Sequence, residues 1–448
     1  MRSQLSDQPR QAMHRLTQWY SPVMLLRLGH VPTLVLSSPE AAKEVMKAPG
    51  EAVFASQPGG ENFSLAELLS PGHIRSFRPF LDEEAACLAA SISFTMSYCG
   101  PVLVDVRDRA KAMMKDIFMK IVFGDYPRWK SVFFMRSSVG HRCPQLEAYL
   151  EELHEVLDVM SGLDPSDLFP TEEALGGGSQ RATQEVHERF RSIMDALIRY
   201  HTMAMESEEA DAGPDRRGDI LTTLLLLRRD GGMTLTDENI GSVLFEIFSV
   251  GLETTSTTII WAMSELMKSP QKMTIAQLEI RRVLHHKNLT EANIDSQLPY
   301  LQMIIKETLR LHPPMSFIIT RLCTEPGKIR AYNMLPRTNV LVNMWAIGRD
   351  EKSWTNATEF LPERFEDEVV DYDCSDFYFL PCDARHSQRM MFGMSSIEIA
   401  LASLLWTFDW KLLSGRKPEE LDMPDVNGIT KRGRTELLLE AIDHFLAL

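Results

Sequence analysis

A mainly α fold with small β-sheets is what this sequence predicts, and three observations carry it. Apolar residues recur at three- and four-residue intervals through DRAKAMMKDIFMKIVFG (108–124) and LEAYLEELHEVLDVM (146–160), the period of a helix with one buried face. The stretch ENIGSVLFEIFSVGLETTSTTIIWAMSELMKS (238–269) is apolar on too many faces to lie at a surface, and so is expected to cross the core. Strand character is confined to short pieces, of which MLLRLG (24–29) and TLVLSS (33–38) are the clearest.

Taken in order, those two pieces read as a hairpin with its turn around His30, Val31 and Pro32. Ser38 then caps a helix, SPEAAKEVMK (38–47), with Pro39 at its first position, where a missing N–H costs nothing. The helical patterns that follow are interrupted by LGGGSQ (175–180) and by ESEEADAGPDRRGD (206–219). The second runs acidic then basic around Gly and Pro, as an exposed loop does. Asp237 is placed to cap the long helix, which has to stop before Pro270.

Composition bounds the function. With 448 residues, 44% of them hydrophobic, the chain can bury a large core. A formal net charge of -15 argues against nonspecific binding to nucleic acid or anionic lipid, both of which need positive fields. Cys87, Cys99, Cys143, Cys323, Cys374 and Cys382 show neither metal-ligand spacing nor a compact framework, which fits a reducing compartment and gives no protein-built metal centre. MRSQLSDQPRQAMHRLTQWY at the start holds no apolar run of about 20 residues, so the chain as written reads as soluble.

Two constellations could carry chemistry. SVGLETTSTT (249–258) sets Gly251 among hydroxyls inside the long helix, and a mid-helix glycine costs about 1 kcal/mol against alanine. Either something packs close to the backbone there, or Thr254, Thr255, Thr257 and Thr258 bond back to helix carbonyls while Gly251 admits another helix. KETLRLHPP (306–314) places Glu307 and Arg310 three residues apart on one helical face among leucines. If that pair is buried it needs further hydrogen-bonding partners. A second arginine, Arg364, follows in the irregular stretch FLPERF (360–365).

KETLRLHPP, then NMWAIGRDEKSW (343–354) and EFLPERF (359–365), resemble the E-x-x-R helix and Pro-Glu-Arg-Phe loop of the cytochromes P-450. SVGLETTSTT resembles that family's oxygen-activating helix. LLRLGHVPTLVLSSPEAAKEVMK, ALASLLWTFDW and KPEELDMPDVNGIT are similar to the plant microsomal (A-type) branch. The resemblance implies the cytochrome P-450 fold as a single domain over 1–448, with haem b as cofactor. It implies a monooxygenase acting on a small hydrophobic substrate, with a lean to the terpenoids of plant secondary metabolism. NADPH-cytochrome P-450 reductase is the implied partner, nucleic acid is not one, the chain is expected to be a monomer, and the family's location is the endoplasmic reticulum membrane. By the same resemblance Glu307, Arg310 and Arg364 form a structural charged triad. Glu253 and Thr254 match the acid and alcohol that relay protons, and Gly251 lets dioxygen and substrate approach the helix. Arg321 matches a basic residue that pairs with a haem propionate.

The family's ligand loop is altered. In FLPCDARHSQRMMFGMSS (379–396), the helix start MMFGMSSIEIALASLL keeps Phe392, Gly393 and Glu398. Counting back without gaps puts Ser387 at the position of the ligating cysteine and Arg385 at that of a propionate-binding arginine. Asp383 and Arg389 stand where glycines are expected, and the interval from Pro381 to Ser387 is short. A neutral hydroxyl lacks the electron donation of a thiolate, and Cys382, the one nearby thiol, precedes the expected position by most of the loop. The family's Trp-Arg helix is expected between FASQPGGENF and LAELLSPGHIRSFRPF, near residues 57–66, and is missing there, as is an N-terminal membrane anchor. The expectations are therefore a haem-thiolate monooxygenase or a catalytically defective relative, a pseudoenzyme or binding protein without functional haem ligation. Intact flanks around a scrambled loop are also what a local frameshift or misplaced exon boundary produces.

Overall fold

The computed structural model describes residues 9–28, 31–46, 71–124, parts of 184–205, 219–230, 235–284, 297–330, 332–366, 387–413 and parts of 416–445. The expected helix at 146–160 and the two interrupting segments, apart from Asp219, lie outside the described residues.

The N-terminal part is built around a small sheet. Helix α1 (Pro9–Trp19) precedes the antiparallel strands β1 (Val23–Leu28) and β2 (Val31–Leu36). Residues 29 and 30 lie outside the described set, and Val31 and Pro32 are paired within the hairpin, opposite Leu28 and Arg27. The expected turn around His30 to Pro32 is corrected accordingly. Pro32 is tolerated because pairing on the other side of β2 begins only at Thr33, so its missing N–H leaves no gap there. Helix α2 (Pro39–Met46) follows, with Ser38 Oγ accepting from the Ala41 amide at 3.4 Å, as the sequence indicated.

The helical part is assembled on one central element. Helices α3 (Pro71–Ser76), α4 (Arg78–Cys99) and α5 (Val106–Phe123) are followed by α6 (Ile220–Arg229) and the long α7 (Asp237–Lys268). The short strand β3 (Val102–Asp105) links α4 to α5, and Asp105 caps α5 by accepting from the Arg107 amide at 2.9 Å. The cap of α7 is Thr236, and Asp237 is its first helical residue. Thr236 Oγ1 accepts from the Asn239 amide at 3.1 Å while Asn239 Oδ1 accepts from the Thr236 amide at 3.1 Å. That reciprocal pair outcompetes a single carboxylate at Asp237.

Helices α8 (Pro270–Leu284) and α9 (Pro299–Leu311) come next, then β4 (Phe317–Leu322), the β5–β6 hairpin (Gly327–Ile329 and Tyr332–Met334) and β7 (Asn339–Asn343). β7 completes the first sheet in the order β1-β2-β7-β4, parallel to β2 and antiparallel to β4. A short helix α10 (Met344–Ile347), a 3-10 turn (Pro362–Phe365) and α11 (Ser387–Thr407) follow. Arg364 thus sits in a regular turn and not in an irregular stretch. Strand β8 (Phe408–Leu412) joins β3 and the C-terminal strand (Leu438–Asp443) in a second sheet.

Helix α7 packs against α5, α8, α9 and α11. Some of its hydroxyls bond back within it: Ser256 Oγ donates to Leu252 O and Thr258 Oγ1 to Thr254 O, each at 2.8 Å. Where α5 crosses, the Phe118 ring fills the side of Gly251 that a Cβ would occupy and lies 5.7 Å from Phe392 of α11, centre to centre. Aromatic contacts thereby tie α5, α7 and α11 together.

A Cβ on Gly251 would stand 2.2 Å from Phe118 Cζ. Helix propensity favours alanine there by about 1 kcal/mol, but overpacking a close-packed core costs about 1–3 kcal/mol. Gly251→Ala is therefore expected to lower the urea midpoint, and adding Phe118→Leu to recover part of the loss. A midpoint raised by Gly251→Ala alone would show that the contact is slack.

Candidate functional site

The chemistry-bearing residues gather around α7, α9 and the start of α11. In α9, the i, i+3 spacing puts Glu307 and Arg310 side by side, both fully buried. Arg310 donates from Nε to Glu307 Oε2 at 2.7 Å and from Nη2 to Oε1 at 2.8 Å, a two-pronged pair. Its remaining N–H groups reach backbone carbonyls of Gly348, Ala357 (2.7 Å) and Glu359 (3.1 Å). Glu307 Oε1 also accepts from the Leu361 amide at 2.7 Å and from Arg364 Nε at 3.1 Å. Arg364 continues to the carbonyl of Thr355 at 2.9 Å, and both guanidiniums lie within 6 Å of the Trp354 ring. The further partners that a buried pair requires are thus present, and most are backbone groups.

Sequence reasoning did not find the wall of this cage. Gly348 passes so close to α9 that a Cβ would stand 2.2 Å from Arg310 O. Asn356 turns with φ 51, a left-handed conformation that asparagine tolerates better than most residues. The IGRD run (347–350) carries a faint signal of this closeness; carbonyls carry none. Nearby, the His312 ring stacks on Trp261 of α7 at 3.9 Å and 7°, and its Nε2 meets Glu265 Oε1 at 2.9 Å, fastening the end of α9 to α7. LHPP could have signalled a buried histidine.

On α7, Glu253 is 1% exposed and lies 3.7 Å from the Lys111 ammonium of α5. Thr254 is half-buried, and its carbonyl accepts from Thr258. Gly251 faces Phe118. The backbone of Arg321 is in β4, paired with Val340 beside a register irregularity, and its side chain is outside the described residues. Cys382 and Arg385 are outside them too. Ser387 is the first residue of α11, its side chain not described.

Ser387, the residue that the ungapped count set at the ligand position, is thus at the N-terminus of α11. Among the described residues, Cys87 on α4 and Cys323 are in no disulfide, and Cys323 Sγ donates to Glu325 O at 2.9 Å beyond β4. Among the described residues no thiol stands at the start of α11. The described residues contain no cluster of histidine, cysteine and carboxylate suited to a metal ion. One described helix, Met390–Thr407 within α11, is long and apolar enough to cross a membrane, and it is mostly buried inside the protein.

The sequence profile of the family described as Cytochrome P450 matches residues 2–64 and 60–438. Among curated relatives, the premnaspirodiene oxygenase of Hyoscyamus muticus is 31% identical, over 97% of this chain and 88% of that protein. The 5-epiaristolochene 1,3-dihydroxylase of Nicotiana tabacum is 32% identical over 98% and 89%. The dolabradiene monooxygenase of Zea mays is 32% identical over 98% and 89%.

Removing one member of a buried ion pair costs about 3–5 kcal/mol because its partner is left uncompensated. Glu307→Gln, which strands two arginines, is expected to fall in that range. Lys272→Ala, which breaks a 2.9 Å contact to the partly exposed Glu363, should cost less than about 1 kcal/mol. Urea unfolding of the two variants checks the ranking; comparable losses would overturn it.

Proposed function

The chain belongs to the cytochrome P450 family, and from that membership we propose a monooxygenase of small hydrophobic compounds, most closely those of terpenoid class, drawing electrons from NADPH-cytochrome P-450 reductase. The observation that carries the reading is the intact Glu307–Arg310–Arg364 cage beneath α7. It fixes the helices between which a cofactor of this family is held. The family's haem, when bound, supplies the activation of dioxygen. In this proposal Glu253 and Thr254 hold and pass a proton in a water-poor place, with Gly251 beside them. Arg321 and Arg385 would pair with the haem's carboxylates, for which guanidinium is suited. The relatives named for premnaspirodiene, 5-epiaristolochene and dolabradiene support the lean in substrate class. A single domain over 1–448, acting as a monomer at the endoplasmic reticulum surface and lacking the Trp-Arg helix near 57–66, completes the proposal. The break of the family match at residues 60–64 supports the missing segment.

A second reading is favoured by Ser387 at the start of α11. With a hydroxyl in place of sulfur, the chain as written is a catalytically defective relative or a binding protein, with Cys382 as a poor substitute ligand.

One spectrum separates the readings. Carbon monoxide added to the reduced, purified protein gives a thiolate-type Soret band on the first reading and none on the second, on which Ser387→Cys is expected to supply one if the ungapped count is right. A thiolate-type band from the wild type would sink the second reading. Failure of both proteins to take up haem would sink the monooxygenase reading of this chain.

A further inference from the structure

The helical segment that holds His201 meets the start of α6 through a buried chain of three side chains. Asp219, the N-cap of α6, accepts from the Thr222 amide at 2.7 Å on Oδ1 and from the Thr222 hydroxyl at 2.7 Å on Oδ2. Thr222 Oγ1 lies 2.8 Å from Nε2 of His201, 21 residues earlier in the sequence. A threonine hydroxyl has one hydrogen, and an ionised carboxylate can only accept it. Its oxygen is then left to accept in turn, so His201 donates from Nε2. The chain therefore has a direction, from imidazole to carboxylate. A proton on Asp219 Oδ2 forbids that direction. The new O–H has to donate, and the acceptor already in place is Thr222 Oγ1. The threonine hydrogen must then turn to His201 Nε2, which can receive it only as a bare nitrogen.

We propose that His201, Thr222 and Asp219 form a reversible relay, in which one proton taken up at Asp219 turns both side-chain hydrogen bonds around and leaves the two segments joined. Asp219 gains a proton from water, Thr222 keeps its own, and His201 loses one from Nε2 and gains one at Nδ1, so the cluster gains one in all. Burial pushes the Asp219 carboxyl up to about 6, against the opposing pull of its Thr222 bonds, and pushes the His201 imidazole down to about 4. On acidification the acid thus fills first, 3.6 Å from an imidazole that stays neutral. Helices α5 and α7 pack on α6, and among the described residues neither brings a charged group within ion-pair distance of Asp219. Arg228 pairs with Asp237 at the far end of α6, Arg191 with Glu238 of α7, and Arg199 donates to the Asp195 carbonyl. As pH falls from about 6.5 to about 4 the lowered imidazole removes stability, because the unfolded chain binds its proton first. From about 6 to about 3.8 the raised carboxyl adds stability, because the folded chain binds first, and the two effects offset. No residue of the proposed haem site takes part.

Nitrogen NMR of the full-length chain carrying isotope-labelled histidine tests it, with the His201 ring assigned through its contact with Thr222. The wild type is expected to show the Nε2–H tautomer at neutral pH and to change to Nδ1–H with a midpoint of about 6. Asp219→Asn carries an amide that donates where the protonated acid would, and is expected to hold Nδ1–H at neutral pH as well. The same variant, lacking the site that offsets His201, should lose more stability than the wild type as pH falls from about 6 to about 4. A wild-type ring that keeps Nε2–H below that midpoint, or that becomes an imidazolium there, overturns the proposal. So does a folded Asp219→Asn that keeps Nε2–H at neutral pH. If Asp219→Asn does not fold, the wild-type titration decides alone.

Discussion

Two opposite charges buried side by side, Glu307 and Arg310, set the terms for much of this molecule. Neither side chain touches solvent, and charges at such depth are tolerated only when every lone pair and N–H is met. The demand is satisfied mainly by main chain, so the segment from Gly348 to Arg364 has to wrap α9 in one particular path. A glycine is forced where that path touches the helix, a left-handed asparagine where it turns back, and a tryptophan lies under both guanidiniums. Because α9 also packs on α7 and α11, the same constraint helps to place the two helices that bound the candidate site.

How much of this was legible in the sequence depended on whether side chains or backbone made the contact. The i, i+3 spacing of Glu307 and Arg310 was visible as pattern, and so was the apolar length of α7. The partners of Arg310 are carbonyls, which every residue possesses, so no sequence pattern announces them. The start of α7 was missed by one residue because Thr236 and Asn239 share a reciprocal cap that uses asparagine where glutamate or glutamine is usual. Of the two readings left open at Gly251, the structure shows another helix approaching, through Phe118.

The parts of the chain that hold the fold and the part that would hold the iron ligand are distinct. The charged cage, the aromatic contacts of Phe118 and Phe392, and the stack of His312 on Trp261 involve neither Ser387 nor residues 367–386. Substitution at the ligand position removes none of these contacts. Such a division lets the scaffold and the site vary separately, since function resides in a site grafted on the fold.

The parallel pairing of β2 with β7 has a consequence for how the chain is made. Thr33 to Leu36 find their partners at Asn339 to Val342, more than three hundred residues later. The hairpin of β1 and β2 can close soon after it leaves the ribosome, but the other edge of β2 stays unpaired until just over three quarters of the chain has been synthesised. An open apolar strand edge invites association with other chains, and pairing over so long a separation is slow to form. During translation the N-terminal hairpin is thus a natural client for holding chaperones, and the first structure to form is among the last to be completed.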